Sequence, residues 1–388
     1  MAKRKSVAQI EDEGNATSVI EYLSAVADPR IERTRLHSLK DILVLSLCAI
    51  ICGADSFVGI EEFGIAREAW FKTFLDLPNG IPSHDTIGRV FALLDPKALE
   101  AVFRAWTRTV AELTQGEVVA FDGKSLRRSF RKAGCGVFVH MVSAWATRNC
   151  VVLGQVKVDD KSNEITAIPE LLGMLFLKGC IVTIDAMGCQ KEIAAKIVDS
   201  AADFCLTVKD NQPTLHNDLI RTFEAAATDP TVLATMSYAV TNDKGHGRIE
   251  TRRCWTTNNV SGISQIDQWK GLRSLALIES ERTVNGKTST ERRYVICSCT
   301  DFSAAKALAT VRAHWGIENQ LHWVLDVAFR EDDCRVRAGH AAENFAVLRH
   351  TALNLLKKVK GTKVGIKIRR QKAGWDDKFL LKVLGATC

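Results

Sequence analysis

The chain has 388 residues, of which 46% are hydrophobic and 25% are charged. This composition excludes a disordered or fibrous chain, and the length is sufficient for two or three globular lobes. The net charge of +7 is concentrated at the end of the chain, where ten Lys and Arg residues after position 356 outnumber Asp376 and Asp377.

Residues 1–17 are expected to form a flexible arm, because they are polar and lack the apolar segment of a secretory signal. Residues 18–113 follow a helical pattern with breaks at "ADPR", "LPNGIPSHD" and "LLDPKA". Ser83 and Asp85 indicate a helix start. The longest apolar run, Ile42–Cys52, is too short to cross a bilayer and predicts a buried helix. We therefore predict a helical N-terminal domain and a cytoplasmic protein.

Residues 114–233 change to a pattern of alternating strands and helices. Three strand-like runs, "EVVAFDG", "GVFVHMVSAWA" and "VVLGQVKV", precede a helix over Glu164–Phe176. The strand "CIVTIDA", a helix over Cys189–Ser200, the strand "FCLTV" and a helix after Pro213 follow. This order predicts an α/β domain with a mixed sheet.

Residues 234–300 have the pattern of hairpins without helices, in "HGRIETRRCWTT", "SLALIESERTV" and "TERRYVICS". The dipeptide Asn285-Gly286 is a strong turn signal between two of these runs. Helical pattern returns over 301–359, so we predict a β-rich insertion placed before the last helices of the α/β domain. Residues 360–388 form a basic C-terminal tail, which indicates a polyanionic partner, nucleic acid first, or alternatively a solvated terminal helix.

Two of the predicted strands end in an acid, Asp122 in "VVAFDGK" and Asp185 in "CIVTIDAM". In open α/β sheets ligands bind at the carboxyl ends of the strands. Together with Glu318 these acids would form a three-carboxylate cluster, which suits hard divalent cations. Two such ions can promote phosphodiester displacement. The alternative for Asp122, which precedes Gly123, is an ordinary turn residue.

Glu318 lies in "HWGIENQLHW", where His314, Glu318 and His322 recur every four residues along one side of a helix. A neighbouring apolar stripe is expected to pack on the core: Ile317, Leu321, Val324 and Ala328. Glu318 therefore lies at the border of the core, where it is either a metal ligand or part of a solvated helix edge.

A basic segment, "KSLRRSFRK", follows the first acid directly. Its positively charged residues are Lys124, Arg127, Arg128, Arg131 and Lys132. They are placed to neutralise a DNA backbone beside metal-dependent chemistry, or else they only solvate a loop.

Several long motifs, in the same order, resemble those of bacterial insertion-sequence transposases of the DDE class, in the H-repeat-associated branch. They are "GIPSHDTIGRVFALLDP", "FDGKSLRRS", "TIDAMGCQKEIA", "LTVKDNQPTL", "GHGRIETRR" and "HWGIENQLHWVLDVAFREDDCR". The resemblance runs over nearly the whole chain. It implies an RNase H-like catalytic domain with Asp122, Asp185 and Glu318 at the acidic positions, Mg²⁺ as cofactor with Mn²⁺ as substitute, and DNA binding by the helical domain.

Around Glu318 this sequence departs from the pattern of the related transposases. A tyrosine, an arginine and a lysine that related transposases often carry would fall at Val311, His314 and Leu325. His314 is expected to replace the arginine as a phosphate contact, and Arg312 or Arg330 is expected to take part. His322 and Asp326 continue along the same side of the helix. The residues expected to contact DNA are Lys124, Arg127, Arg128, Lys209, Arg248, Arg252, Arg253, His314, His322 and Arg330.

The resemblance implies a nucleoid-associated enzyme that binds the terminal inverted repeats of its own element, cuts at the boundary and joins the ends to target DNA. A homodimer is expected on DNA. Two alternatives remain open: a nuclease that cuts without strand transfer, and a catalytically silent or domesticated DNA-binding descendant.

Overall fold

The computed structural model describes residues 6, 9–10, 18–129, 139–159, 162–245 and 247–385. Its strands are β1 Val118–Leu126, β2 Val139–Ala146, β3 Val151–Lys157, β4 Ile181–Ile184, β5 Asp203–Val208, β6 Ser237–Gly245, β7 Arg248–Thr257, β8 Ser274–Val284 and β9 Lys287–Cys297. They form one nine-stranded sheet in the order β3-β2-β1-β4-β5-β9-β8-β7-β6. The fold is mixed α/β, as predicted.

The parallel part of the sheet consists of β1, β4 and β5, whereas the other neighbouring strands are antiparallel. Phe121 of β1 lies opposite Ile184 of β4, so Asp122 and Asp185 each come one residue after an aligned pair. The register therefore brings these two acids to the same end of adjacent parallel strands.

Helices cover both faces of this parallel region. On one face, Val119 and Phe121 pack against α7 Glu164–Met174, α8 Lys191–Asp199 and α9 Pro213–Thr228. On the other face, Ala120 packs against the residues that follow α11 Ala304–His314. Because side chains alternate along a strand, Asp122 lies on the same face as Ala120.

The first helices are α1 Val19–Ser24, α2 Leu39–Cys52, α3 Phe57–Ala66, α4 Glu68–Phe71, α5 His84–Leu93 and α6 Pro96–Val110. Ser83 caps α5 by accepting a hydrogen bond from the Thr86 backbone, which confirms the predicted helix start. The apolar run Ile42–Cys52 forms most of α2, and nearly all of it is buried, as predicted.

No single helix among the described residues is long and apolar enough to cross a membrane. The two helices α2 and α3 meet that criterion only when taken together, and they are bent by 94°.

The end of the chain differs from the predicted basic tail. Beyond α12 Trp323–Phe329 and α13 Ala341–Lys358, residues 360–388 include the helices α14 Ile366–Trp375 and α15 Asp377–Leu384. Phe379, Leu380 and Leu384 are buried in the same core as α1–α6. The segment folds because this apolar stripe has a partner surface on α2.

Two arginines of this segment point inward rather than towards a partner. Arg370 of α14 donates two hydrogen bonds to the Ile50 carbonyl, at 2.6 and 3.1 Å, and one to the Ala328 carbonyl. Arg369 donates to the Leu356 and Thr362 carbonyls at 2.7 and 2.6 Å. These guanidinium groups satisfy backbone carbonyls, and Arg370 is buried, whereas Arg369 is partly exposed.

Residues 234–300 form hairpins, as predicted. These hairpins belong to the same sheet as β1–β5 and do not form a separate layer. Strand β9 pairs directly with β5, so β6 to β9 extend the central sheet. Strand β6 was not among the sequence predictions, because "SYAVTNDKG" ends in residues that are depleted in strands. The short helix α10 Pro230–Leu233 connects α9 to β6, the edge strand of this extension.

Candidate active site

Asp122 and Asp185 are held in place by backbone groups where the parallel pairing of β1 with β4 ends. Strand β4 stops there, but β1 continues to Leu126, so the prediction that this strand ends in Asp122 is wrong. Asp122 lies near the middle of β1, and its Oδ1 accepts a 2.9 Å hydrogen bond from the Gly123 backbone. Oδ1 of Asp185 accepts from the Met187 and Gly188 backbones at 3.1 and 3.3 Å, which caps a short 3₁₀ turn. Both carboxylates are thus fixed without using all of their acceptor capacity.

The charge of this pair is not neutralised by cations. Within the described parts of the chain, neither Asp122 nor Asp185 forms an ion pair with a lysine or arginine. Burial raises the pKa of Asp185, and the nearby carboxylates of Glu164 and Asp122 raise it further. Negative charge is therefore concentrated here at an energetic cost that a bound cation would relieve.

Two histidines approach the acids from the helical side. Nδ1 of His322 lies 3.4 Å from Oδ2 of Asp122, and Nδ1 of His314 lies 3.0 Å from the Thr183 hydroxyl. Burial lowers the pKa of His314, although Asp122 and Asp185 oppose this effect. The imidazole of His314 therefore adds little positive charge beside these carboxylates near pH 7.

Glu318 is the first residue of a π-helical turn, Glu318–His322, that joins α11 to α12. Its side chain is exposed and lines a cavity of about 1200 Å³ bordered by β7–β9 and α11. No contact joins Glu318 to Asp122 or Asp185 in the described structure. Among those residues, no three His, Cys, Asp or Glu side chains are grouped closely enough to hold a metal ion.

The π turn also changes the apolar stripe that the sequence predicts. Ile317 and Leu321 are fully buried, as expected, but the next buried positions are Leu325 and Phe329. The predicted Val324 and Ala328 are only partly buried. A π turn contains one more residue than an α turn, so the inward face reappears one position later than α-helical spacing predicts.

Sequence reasoning missed a further polar chain beside Asp122. His140 Nε2 lies 2.7 Å from Oε1 of Glu164, and His140 Nδ1 lies 2.8 Å from the Ser125 hydroxyl. A Cβ atom at Gly123 would lie 2.0 Å from that Glu164 oxygen. The only signal in the sequence was the glycine after Asp122, which is equally typical of a turn.

Lys124 is not available to DNA, contrary to the sequence prediction. Only 12% of its side chain is exposed, and its ammonium group lies 2.6, 3.1 and 3.2 Å from Asp326, Glu331 and Asp332. Although burial favours the neutral amine, these carboxylates raise the pKa of Lys124. Arg349 lies on the other side of Glu331, at 3.7 Å. Lys124 therefore belongs to a compensated cluster that joins β1 to the segment after α12.

The next two basic residues are also paired, but at the surface. Arg127 lies 3.2 Å from Asp332, and Arg128 lies 3.4 Å from Asp333. Arg127 is 79% exposed, so its guanidinium group remains open to solvent on most sides. The predicted contacts Arg131 and Lys132 lie outside the described residues.

The other predicted arginine and lysine contacts lie on the sheet extension, directly after β5 and directly after α12. Arg252 pairs with Asp243 and Glu250 at 2.6 and 2.7 Å, and Arg253 lies 3.6 and 3.3 Å from Glu279 and Glu281. The remaining members of the set are exposed: Lys209, Arg248 and Arg330. Arg248 lines the same cavity as Glu318, whereas Arg330 pairs with Asp55 and Asp333.

The two aspartates fit a hard divalent cation. They supply oxygen donors, they follow directly on the last aligned pair of β1 and β4, and no described lysine or arginine competes with a cation for them. The position of Glu318 does not support its role as a metal ligand, because its side chain is exposed and lines the cavity.

Comparisons with known proteins give consistent similarities over the whole chain. A family described as "Transposase DDE domain" matches residues 113–355, and one described as "DDE_Tnp_1-associated" matches residues 20–107. "Putative transposase YncI" of Escherichia coli O157:H7 is 44% identical over 375 residues, covering 96% of this chain and 95% of that protein.

A second relative, "H repeat-associated putative transposase YhhI" of Escherichia coli strain K12, is 40% identical over 376 residues. The match covers 95% of this chain and 98% of that protein. Among solved structures, a piggyBac transposase synaptic complex with hairpin DNA has a TM-score of 0.41 and 11% identity, covering 95% of this chain and 77% of that chain.

Proposed function

Because the chain belongs to the DDE transposase family, in the H-repeat-associated branch, we propose that it cleaves DNA at the ends of its insertion sequence and joins those ends to target DNA. One observation carries the proposal: Asp122 and Asp185, without a lysine or arginine partner among the described residues, lie side by side where the parallel pairing of β1 with β4 ends. Transposases of this family use divalent metal ions. A carboxylate pair without cationic partners has the charge that such an ion requires.

We assign Mg²⁺ to this pair, with Mn²⁺ as its substitute, and retain Glu318 as the third ligand on the basis of family resemblance. Bound there, Mg²⁺ supplies Lewis acidity for phosphodiester displacement. Glu318 would have to turn inward from the cavity in the DNA-bound protein, because its carboxylate is exposed in the free chain. The predicted RNase H-like nature of the catalytic domain remains part of this proposal.

The surrounding residues orient the acids. Nδ1 of His322 lies 3.4 Å from Oδ2 of Asp122 on the helical side, while the Gly123 backbone donates a hydrogen bond to Oδ1. Backbone groups of Met187 and Gly188 fix one oxygen of Asp185 and leave its second oxygen free within the described structure. These contacts set the directions in which the two carboxylates present their remaining lone pairs.

The proposed DNA surface consists of exposed cations on the cavity wall and directly after β1, β5 and α12. Arg248, Lys209, Arg127 and Arg330 would contact phosphates, because their guanidinium and ammonium groups face solvent. Phosphate contacts of this kind position DNA without reading its sequence. We further propose that the helical N-terminal domain reads the terminal repeats, that the protein acts as a homodimer on DNA, and that DNA binding keeps it in the nucleoid.

The test uses the full chain and a linear duplex that carries the terminal repeats of its element. Nicking at the repeat boundary is measured with Mg²⁺, with Mn²⁺ and with a chelator. Asp122→Asn and Glu318→Gln are each expected to abolish nicking, while Glu170→Gln, an exposed carboxylate of α7, retains it. Nicking that persists with chelator, or in Asp122→Asn, would overturn the proposal.

The same assay separates the parts of the proposal. Full activity of Glu318→Gln would remove Glu318 from the site and leave the aspartate pair in place. Adding a target plasmid tests strand transfer, because joined products distinguish a transposase from a nuclease that only cuts. Nicks without joined products would support the nuclease alternative.

A further inference from the structure

Lys124 joins strand β1 to helix α12 beside the aspartate pair. Its ammonium group lies 2.6 Å from Oδ1 of Asp326, in the middle of that helix. We propose that Lys124 and Asp326 are positioning residues, which fix α12 on β1 and thereby hold His322 beside Asp122. This inference rests on the proposed function of Asp122 and Asp185, and it gives the ion pair a part in catalysis besides stability.

Two contacts connect the same strand to the same helical segment. Nδ1 of His322 lies 3.4 Å from Oδ2 of Asp122, and Lys124 meets Asp326 one helical turn further along. Two residues of a strand span about 6.6 Å, and four residues of an α-helix span about 6 Å. The spacing of the two contacts on β1 therefore matches their spacing on the helix, so a displacement of α12 at one contact also changes the other.

The imidazole of His322 has little support of its own. Its Nε2 atom is buried and makes no hydrogen bond within the described structure. The 3.4 Å contact with Asp122 is longer than a normal N–H···O hydrogen bond, so it does not hold the ring firmly. The position of the imidazole is therefore set by the helix that carries it.

Asp326 depends on Lys124 more than the other two carboxylates around the ammonium group do. Glu331 and Asp332 each lie beside an arginine as well. Within the described parts of the chain, Asp326 pairs with no other lysine or arginine. Apolar packing on the core also holds α12, but such packing is not directional. The ion pair supplies the directional contact that fixes the helix along β1.

The experiment measures nicking of the terminal-repeat duplex by the full chain, with Mn²⁺ and with DNA at saturating concentration. Asp326→Asn keeps the size of the side chain and removes the charge that binds Lys124. Its nicking rate is expected to fall by about tenfold to a hundredfold, the range for supporting residues of an active site. Asp332→Asn is the matched control, because it removes a second carboxylate of the same lysine, at 3.2 Å, from the turn after α12. This control should nick at the wild-type rate.

DNA affinity and thermal unfolding, measured for each variant, separate positioning from folding. A positioning role predicts a lower rate at saturating DNA with unchanged DNA affinity. A structural role alone would lower the thermal midpoint and leave the rate unchanged at temperatures well below it. That result, or equal losses of rate in Asp326→Asn and Asp332→Asn, would overturn the inference.

The outcomes also separate this inference from the function on which it rests. Wild-type nicking in Asp326→Asn together with inactive Asp122→Asn would overturn the positioning role alone. Nicking in Asp122→Asn would overturn the proposed function itself. If Asp326→Asn does not fold, Asp326→Glu replaces it. The glutamate keeps the charge for Lys124 but lengthens the contact by one methylene, so an unchanged rate in that variant would also contradict the inference.

Discussion

Two neighbouring positions on one face of β1 have opposite electrostatic surroundings. Asp122 belongs to a group of carboxylates that is contacted by imidazoles and backbone N–H groups. Lys124, two residues later, lies between three carboxylates, and Arg127 and Arg349 each lie beside one of these carboxylates. The first region is uncompensated, whereas the second is compensated.

The difference appears when the carboxyl groups of Asp185 and Glu331 are compared; the pKa of Asp326, beside Lys124, is raised mainly by burial. Burial raises the pKa of Asp185, and no described lysine or arginine pairs with it to oppose that effect. Burial acts in the same direction on Glu331, but Lys124 and Arg349 outweigh it and lower the pKa of this carboxyl group. Buried charge alone therefore does not mark a functional site. The absence of a compensating charge distinguishes the group that can accept a cation from the group that stabilises the fold.

The largest expected effect is on catalysis in the uncompensated region. Asp185→Asn should reduce nicking at least about a thousandfold, equal to about 4 kcal/mol in the barrier. The same change should leave the thermal midpoint unchanged or slightly higher, because it removes a repelling charge. The measurement pairs initial nicking rates with thermal unfolding, and a large loss of stability would show that Asp185 is structural.

The compensated region should respond in the opposite way. Glu331→Gln leaves Lys124 and Arg349 without their buried partner, so the free energy of unfolding should fall by about 3–5 kcal/mol. Denaturant unfolding gives this value directly. Asp333→Asn, at an exposed pair with Arg128, is the control and should cost less than about 1 kcal/mol. Equal effects in the two variants would mean that burial of the pair does not matter.

The dependence of stability on pH should differ in sign between the regions. The lowered pKa of Glu331 contributes stability that is present above its ordinary value of 4.5 and is lost as the pH falls through the lowered pKa. The raised pKa of Asp185 has the opposite effect, because its contribution is lost as the pH rises from 3.8 through the raised value.

Unfolding free energies at a series of acidic pH values test this difference in sign. Below pH 4.5, Glu331→Gln should flatten the decline of stability with acid. Asp185→Asn should instead raise stability relative to the wild type as the pH increases. Parallel curves for the wild type and both variants would contradict the opposite pKa shifts.

The smallest effect on stability is expected at the exposed edge of the compensated region. Arg127→Ala should change the free energy of unfolding by less than about 1 kcal/mol, because its pair with Asp332 is open to solvent. If Arg127 contacts a DNA phosphate, the slope of log affinity against log salt should flatten by about 0.9. An unchanged slope would leave Arg127 as a surface ion pair only.

The sequence predicted the backbone framework of the site more completely than its charges. Apolar runs before Asp122 and Asp185 identified the first half of β1 and all of β4, because a buried parallel strand is mainly apolar, but the continuation of β1 through the polar residues Asp122–Ser125 was not predicted. The strand pattern is local and can be read from a single sequence. The alignment of the two acids additionally depends on the pairing of β1 with β4.

The partners of each charge could not be predicted in the same way. Lys124 meets Asp326, Glu331 and Asp332 only because a segment about 200 residues later folds against β1. The same limit applies to Glu164, whose approach to β1 depends on how α7 lies on the sheet. Likewise, the count of basic residues after position 356 gave no indication that Arg370 turns inward to the Ile50 carbonyl.

The π turn Glu318–His322, which joins α11 to α12, determines where this helical segment can change its length. In a regular α-helix, deleting one residue rotates every later side chain by about 100° around the axis. Deleting one residue within Glu318–His322 would instead convert the wide turn into an α turn and keep Leu325 and Phe329 facing the core. A relative that is one residue shorter in this segment can therefore keep both ends of the helix in phase, and a gap in a sequence comparison of this helix belongs there.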